Sequence, residues 1–492
     1  MKRAATNSGS AGATSPDTAA DVLAFVREAL ARPLDDREIR LITVPAPLLD
    51  PEHILRLDPE EPGVYWGGSG DGTVMAGSGS VRTVAARGPD RFDGIRSAAR
   101  AIWPHLRHLT HPDLDPATVP VPRLFGGFAF QEGRAAGPWE PFGDSRFLLP
   151  RLLYVRHRSA GHNGNHGGPP RDQAMLTLAV AAEAPGGVMV EAELQRLAAA
   201  LSPRQSVVDA GSAPVPAARL PEGATTETAW ADAVDSIHQQ IRNGAVEKVV
   251  AARRSVLRLQ RPADAAAVLR RLARDNAGEV RFALRHGGAT FLGAAPERLI
   301  ARAGDTVRTE AIAGSMGTGP GAGAGSDARE RLLASAKDTA EHRYVVDAIA
   351  TALAPLCDAL DYPYHPDVRR LRHVVHLRTP FEGRLRQPVH VLDLVERLHP
   401  TPAVGGTPTT AALEWIARHE PVDRGWYAAP MGWFDADGNG DFVVALRSGL
   451  LSGNRAYLYA GAGIVRDSKA APEFAETETK LRTMMDALGI AT

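Results

Sequence analysis

Short apolar runs separated by glycine and proline recur along this sequence, and they constrain its fold more than any other feature. Between about residues 41 and 180 they predict strands at VRTVAARG, RLFGGFAF, FLLPRLLYVRH and MLTLAVAAE. Runs of this kind between turn residues are typical of strands. Two later segments, FALRHGGATFLGA and FVVALRSGLLSGNRAYLYAGAGIV, are predicted to be hairpins, the second turning at Ser452-Gly453-Asn454. The pattern therefore indicates a sheet-rich protein.

Helices are predicted before and between these strands. Asp17 is a candidate N-cap of a first helix, DTAADVLAFVREAL. Apolar residues from Trp230 to Ile241 recur at helical spacing and end at Gly244. Further helices are predicted at 191–202, KDTAEHRYVVDAIATALAPL, PVHVLDLVERLHPTPAVGG and EFAETETKLRTMMDAL. Helices and strands are thus mixed along the chain.

Composition suggests how the chain is divided. Residues 1–17 are small and polar and are predicted to be a disordered tail. A Pro-, Ala- and Ser-rich stretch, 203–228, separates an N-terminal part, 18–224, from a C-terminal part, 225–492. The polar loop SAGHNGNHGGPPRDQ contains His162 and His166, but no further ligands cluster there, so a solvated loop is favoured over a metal site.

Charge and cysteine content exclude several classes of protein. Lys and Arg number 56 against 57 Asp and Glu, a net charge of -1, which excludes a generally basic nucleic-acid binder and a polybasic membrane-surface protein. The one cysteine, Cys357, permits no intrachain disulfide and no CxxC metal site. No apolar run of about 18 residues is present. We therefore expect a cytoplasmic protein that binds neither membranes nor nucleic acids.

The last predicted helix carries acids on one face. Glu473, Glu476 and Lys480 are spaced i, i+3 and i+7. Spacing alone favours a solvated charged stripe. The preceding AGAG presents bare backbone N–H groups that suit a carboxylate, however. Carboxylates for a hard cation beside amides for an anion are the components of a metal-assisted site.

Three more residues are ambiguous on their own. Glu341 lies on a predicted helix and could bind Mg²⁺ together with Glu476 if the two helices meet. Lys248 shares a strand face with Val250, and burial there would favour the uncharged amine, which can act as a base. Glu297 follows Pro296 at a strand end. Taken alone, a snorkelling lysine and a surface glutamate remain the favoured interpretations.

Nine motifs in one order resolve this ambiguity. They are EKVVAAR (247–253), FLGAAPERL (291–299), TEAIAGS (309–315), KDTAEH (337–342), VVHLRT (374–379), HPTPAVGGTP (399–408), ALRSGLL (445–451), AGAGIV (460–465) and EFAETETKL (473–481). Together they resemble the chorismate-utilising enzymes, which comprise isochorismate, anthranilate, aminodeoxychorismate and salicylate synthases. The N-terminal part matches only diffusely, through FGGFAF (125–130). The resemblance implies an α+β fold in a single large domain, with two packed antiparallel β-sheets and outer helices.

Within the family, the motifs favour the branch that uses water. Lys248 stands where ammonia-using members usually have glutamine, and water needs a base where ammonia does not. Ala313 stands where many aminodeoxychorismate synthases have a nucleophilic lysine. HPTPAVGG resembles the isochorismate synthase version of that segment. Salicylate synthase is the nearest alternative, followed by an ammonia-using synthase and by a catalytically silent binding subunit.

The resemblance also implies a role for each matched residue. Lys248 would be the general base that activates water, and Glu297 the general acid that protonates the departing C4 hydroxyl. Glu341, Glu476 and Glu473 would hold Mg²⁺, Glu473 through a water. The residues implied to bind chorismate are Ser315, His376, Ala403, Val404, Arg447, Gly461, Gly463 and Lys480. The activity implied is that of an isomerase, without an amidotransferase subunit, in a monomer or weak dimer.

Overall fold

The computed structural model describes residues 16–490 except for positions 69, 71, 159–171, 183–188, 203–216, 277, 318–325 and 373. Residues 1–15 of the predicted tail, His162 and His166, the Gly-rich residues 318–325 and part of the Pro-rich stretch therefore lie outside the described residues. Pro16 and Asp17, which the sequence placed in the tail, are helical.

The described residues contain eleven α-helices. They are α1 (Pro16–Ala31), α2 (Glu52–Leu55), α3 (Arg91–Arg100), α4 (Val190–Leu201), α5 (Glu227–Arg242), α6 (Ala265–Asp275), α7 (Ser326–Ala334), α8 (Ala336–Leu353), α9 (Val391–Leu398), α10 (Thr409–His419) and α11 (Ala470–Leu488).

Twenty-one strands are found in the same part of the chain. They are β1 (Ile39–Pro45), β2 (Gly63–Gly67), β3 (Val74–Ala85), β4 (Leu106–Thr110), β5 (Arg123–Phe128), β6 (Ser145–Arg158), β7 (Asp172–Ala181), β8 (Ala217–Leu220), β9 (Lys248–Leu259), β10 (Val280–His286), β11 (Ala289–Ala295), β12 (Arg298–Ala303), β13 (Thr306–Gly317), β14 (Cys357–Asp361), β15 (Asp367–Arg370), β16 (Val374–Leu385), β17 (Gly406–Thr407), β18 (Pro430–Asp435), β19 (Gly440–Val444), β20 (Ser448–Ser452) and β21 (Arg455–Ile464).

The strands form two series that share β6. The first runs β4-β1-β7-β6-β3-β2-β10-β11-β20-β21-β9, with β8 and β17 on the far edge of β9. The second runs β6-β5-β18-β19-β12-β13-β16, with β14 and β15 on the far edge of β16. Every pairing is antiparallel except β1 with β4. The predicted pair of antiparallel sheets is thus confirmed, and the two are continuous through β6.

The largest core cluster joins the two series. It includes Phe282 and Phe291 from the first series together with Phe434 and Phe442 from the second, all without exposed surface. A second cluster packs α1, α4, α6 and α11 on the other side of the first series. Burial of this much apolar surface is the main favourable term in folding. The helices accordingly lie outside the paired sheets, as predicted.

Several sequence predictions about single elements are confirmed. The segment FALRHGGATFLGA forms β10 and β11, and the residues between them, Gly287 and Gly288, have φ values of 57° and 74°. Such positive values favour glycine and suit tight hairpin turns. The helices predicted around Glu341 and Glu476 are α8 and α11. Cys357 is buried, as expected of a packing residue.

Two predictions are wrong in detail. Helix α1 begins at Pro16, so Asp17 lies inside the helix instead of capping it; proline is tolerated in a first turn, where its missing N–H leaves no bond unmade. FVVALRSGLL is not one hairpin arm. It divides into β19 and β20, which pair in different series, and Arg447 in the crossover has a φ of 49°.

Strands from before and after residues 203–216 pair directly. β2 pairs with β10, and β5 pairs with β18. The N-terminal part therefore contributes strands to both series, and the boundary near 224 stays a prediction about sequence variation along one fold.

Candidate active site

The far ends of the two strand series enclose a cavity of about 210 Å³ together with α8 and α11. Every predicted site residue except Lys248 lines it. These residues are Glu297, Ser315, Glu341, His376, Ala403, Val404, Arg447, Gly461, Gly463, Glu473, Glu476 and Lys480. The two acidic helices thus do meet at one cavity, which the sequence alone could not establish.

Lys248 lies behind the cavity wall and reaches it through Glu341. Its side chain is 1% exposed, and its Nζ donates a hydrogen bond to Glu341 Oε1 at 2.7 Å. Gly463 covers this pair: a Cβ there would lie 2.8 Å from Lys248 Cε and 3.0 Å from Glu341 Oε1. The absence of a side chain at this glycine of AGAG therefore leaves room for the ion pair.

Glu297 is the most deeply buried carboxyl of the cavity. It follows β11 and is 2% exposed. Burial raises its pKa to about 8; the neighbouring charge of Glu310 acts in the same direction and Lys248 opposes it. At neutral pH Glu297 therefore carries a proton that it can donate.

Glu476 is held as a carboxylate. Burial alone would raise its pKa, but Lys480 Nζ at 2.7 Å and Ser315 Oγ at 2.8 Å outweigh burial and lower the pKa to about 2. Lys480 also donates to Gly461 O at 2.9 Å. The i,i+4 pair expected from sequence is present, but it faces the cavity and not bulk solvent.

His376 and Arg447 form a neutral–cationic pair. Burial, together with the charges of Arg447 and Lys480, lowers the pKa of His376 to about 3. Its Nδ1 lies 3.3 Å from Gly314 O, and its Nε2 lies 3.4 Å from Arg447 Nη2. A tautomer with the proton on Nδ1 satisfies both contacts. The imidazole is thus fixed and uncharged beside a guanidinium.

The carboxylates of the cavity suit a hard cation by their chemistry. Glu341, Glu473 and Glu476 offer only oxygen donors, the ligand type that Mg²⁺ prefers. Burial raises the pKa of Glu473, and Ser468 donates to its Oε1 at 2.8 Å. Within the described ranges no group of three or more His, Cys, Asp or Glu side chains is already arranged as a metal site. The donor set fits a metal that also takes ligands from water and substrate.

Several lining residues were not identified from the sequence. Asp338 stands three residues before Glu341 on α8, so its helical spacing was a usable indication. Arg424 donates to Val404 O at 2.8 Å and to Val250 O at 2.6 Å, and it pairs with buried Glu420. No periodicity marks a buried ion pair within a loop. Arg424 joins the segment with Ala403 and Val404 to strand β9.

Comparison with known proteins identifies the family. The sequence model of the chorismate binding enzyme family matches residues 25–489. The chain belongs to this family. It is 40% identical over 370 residues to a salicylate biosynthesis isochorismate synthase from Pseudomonas aeruginosa, covering 75% of this chain and 74% of the relative. It is 37% identical over 376 residues to the isochorismate synthase MenF from Bacillus subtilis, covering 75% of each.

A solved structure shows the same fold. The menaquinone-specific isochorismate synthase MenF from Escherichia coli has a TM-score of 0.74 and 28% identity, covering 96% of this chain and all of the other. The chorismate-binding fold predicted from nine motifs is thus confirmed over nearly the whole chain, including the weakly matching N-terminal part. Among the described residues, no helix is long and apolar enough to cross a membrane.

Proposed function

We propose that this chorismate-binding enzyme is an isochorismate synthase, an isomerase that converts chorismate to isochorismate. One observation carries the proposal: a cavity joins a protonated acid, Glu297, to a buried lysine pair and to three carboxylates, in a chain whose relatives carry that name. Water adds at ring C2, the C4 hydroxyl leaves and the double bonds shift. The hydroxyl group has then moved without any change in composition.

Lys248 and Glu297 move the two protons. Lys248 takes a proton from water as the C2–O bond forms, and Glu297 gives its proton to the C4 oxygen as that bond breaks. The raised pKa of Glu297 supports the acid role, because an ionised carboxylate has no proton to give. As the base, Lys248 acts through its Nζ, which lies 2.7 Å from Glu341 Oε1 in the structure. Each turnover ends with an ammonium and a carboxylate, which exchange protons with solvent.

Cations and backbone amides that line the cavity bind the substrate carboxylates. Arg447 and Lys480 supply positive charge, and Gly461 and Gly463 supply backbone amides. Neutral His376 is positioned to orient the C4 hydroxyl, and Ser315 to donate a hydrogen bond. Ala403 and Val404 form the apolar wall beside the ring. Small residues there leave room for a ring.

Mg²⁺ is the cofactor we propose, with Glu341 and Glu476 as ligands and Glu473 through a water. When bound, it would neutralise the ring carboxylate and the negative charge of the transition state. The three carboxylates of the cavity support this assignment by their number and their oxygen chemistry. We further propose a cytoplasmic monomer or weak dimer that acts on free chorismate, with no amidotransferase subunit and no nucleic-acid partner. The names of the relatives include both salicylate biosynthesis and menaquinone-specific synthesis, and isochorismate formation is common to both.

Product identification tests the proposal. The purified protein is incubated with chorismate and Mg²⁺, with and without ammonium, and the products are separated by chromatography. We expect isochorismate in both samples, in equilibrium with chorismate. Salicylate and pyruvate would instead identify a salicylate synthase, and an aminated product that requires ammonium would identify an ammonia-using synthase. Unchanged chorismate would identify a silent binding subunit.

A further inference from the structure

Behind Glu297, outside the cavity, lies a buried carboxylate that the proposed reaction does not use. We infer that Glu310 is a positioning residue for Glu297: it holds the peptide bond that follows the acid and keeps a negative charge beside the acid's carboxyl group. The inference rests on the proposed function only for its kinetic consequence, since the contacts themselves are features of the fold.

The first support is a direct backbone contact. Glu310 Oε1 accepts a hydrogen bond from the backbone N–H of Arg298 at 3.1 Å. That N–H belongs to the peptide bond joining Glu297 to Arg298, where the chain enters β12. On the other side, Val444 N donates to Glu297 O at 3.1 Å. The acid's backbone is therefore held from both β13 and β19, and Glu310 is the side chain that does so.

The second support is that Glu310 is itself fixed. Arg369 Nη1 donates to its Oε1 at 2.9 Å and Arg378 Nε to its Oε2 at 2.6 Å, and the Glu310 side chain is 8% exposed. Ile312, two residues along β13 and so on the same face, lines the cavity. A carboxylate with three donors in fixed positions is suited to hold a neighbouring peptide bond in place.

The third support is charge. Charged and titratable groups near Glu297 come from β9, β13, α8, β16 and the β19–β20 crossover: Lys248, Glu310, Glu341, His376 and Arg447. Of these, Glu310 is the one that adds to burial in raising the pKa of Glu297, and Lys248 opposes it. Arg369 and Arg378 pair with Glu310 and are the cations that offset its charge, Arg369 at the oxygen that also accepts from Arg298 N and Arg378 at the other oxygen.

The test separates charge from packing. Glu310→Gln keeps the length and an oxygen acceptor for the Arg298 N–H but removes the charge. Loss of this charge should lower the pKa of Glu297, so a smaller fraction of Glu297 is protonated at high pH, while at low pH it stays protonated in both proteins. We expect the ratio of kcat/KM at pH 9 to kcat/KM at pH 6 to fall about tenfold, which is the effect of lowering the pKa of the acid by about one unit.

A second variant should act in the opposite direction. Arg378→Gln removes a cation that offsets the charge of Glu310. The Arg378 side chain is 36% exposed, so the variant is expected to fold. The same ratio should rise. Glu382→Gln is the matched control, because this carboxylate on β16 pairs with exposed Arg308 and is itself 60% exposed. Its ratio should equal that of the wild type.

A readout without turnover separates this inference from the proposed function. The infrared C=O stretch of a protonated carboxyl, assigned to Glu297 by its loss in Glu297→Gln, is titrated in each protein. A midpoint that falls in Glu310→Gln and rises in Arg378→Gln supports the inference even if chorismate is not converted. Midpoints and kinetic ratios unchanged in both variants, with only thermal stability reduced, would overturn it and leave Glu310 a structural residue.

Discussion

At the scale of single residues, Lys248 is the residue proposed as the general base, and solvent hardly reaches its side chain. It is buried under Gly463, and its Nζ is paired with Glu341. Bulk water screens charges at such a buried position only weakly, so the proposed role depends on these close neighbours.

Removing the amine should therefore abolish turnover. For Lys248→Ala we expect kcat to fall by about 10²–10⁴-fold, the usual contribution of a general base. Circular dichroism should show a folded protein. Lys469→Ala is the matched control, because Lys469 is an exposed lysine that lies outside the cavity. A folded Lys248→Ala protein with normal turnover would contradict the assignment of the base.

Glu297 should affect both rate and stability. Glu297→Gln keeps the shape but has no acidic proton, so kcat should fall by about 10²–10⁴-fold. The folded pKa of about 8 exceeds the ordinary value of 4.5. Between these values unfolding releases a proton, so this residue's stabilising contribution is complete below about pH 4.5 and is lost as pH rises toward 8, by about 1.4 kcal/mol per pH unit.

Urea unfolding at several pH values measures this effect. The unfolding free energy of the wild type, minus that of Glu297→Gln, should fall as the pH rises from 5 to 8, because only the wild type carries the ionisable carboxyl group. A difference independent of pH would mean that Glu297 ionises normally and could not serve as the acid.

At the scale of elements, helix α11 is fixed to strand β9 by one buried arginine. Arg253 donates to Thr477 Oγ1 and to Glu478 and lies 4.0 Å from the ring centroid of Phe474. The two acceptors and the ring are all on α11, near Glu473 and Glu476. The arginine thereby sets the position of two candidate metal ligands relative to the strand that begins with Lys248.

Loosening this contact should weaken Mg²⁺ activation. Arg253→Met should raise the Mg²⁺ concentration needed for half-maximal activity and lower the unfolding free energy by about 2–3 kcal/mol, the value of a buried charge-assisted hydrogen bond. Arg219→Met removes the exposed partner of the same Glu478 and should cost less than about 1 kcal/mol. Equal effects of the two substitutions would show that burial of Arg253 is not what matters.

The sequence predicts the helices and strands better than it predicts their positions and pairing in the fold. Periodicity locates β9, α8 and α11, because a strand or helix with one buried face leaves a period of two or 3.6 in its own residues. It fails at FVVALRSGLL, since β19 and β20 are both apolar and nothing local marks the change of sheet at Arg447. It also misses Arg424, whose partners lie 20 and 174 residues away. Such long-range pairs are properties of the assembled fold.

At the scale of the whole molecule, the site combines distant parts of the chain. Lys248, Glu297, Glu341 and Glu476 come from β9, the end of β11, α8 and α11. The ordered motifs predicted that these residues would meet, and the cavity brings together all of those predicted except Lys248, which joins through Glu341. Composition and spacing could not have shown this, because each motif is ambiguous alone.

Chelation tests the metal assignment on the intact enzyme. EDTA should abolish activity, and excess Mg²⁺ should restore it. Mg²⁺ should also raise the melting temperature of the wild type in the presence of chorismate, since a ligand that binds only the folded state stabilises it. Glu341→Ala and Glu476→Ala should lose this rise. Activity that survives chelation would contradict the proposal.

The position of β6 in both layers has a consequence for how a molecule can enter the cavity. Because β6 pairs with β3, β5 and β7, one continuous hydrogen-bonded ladder joins the two layers. We therefore expect an entering molecule to be accommodated by side chains and helix ends around the cavity more than by separation of the layers.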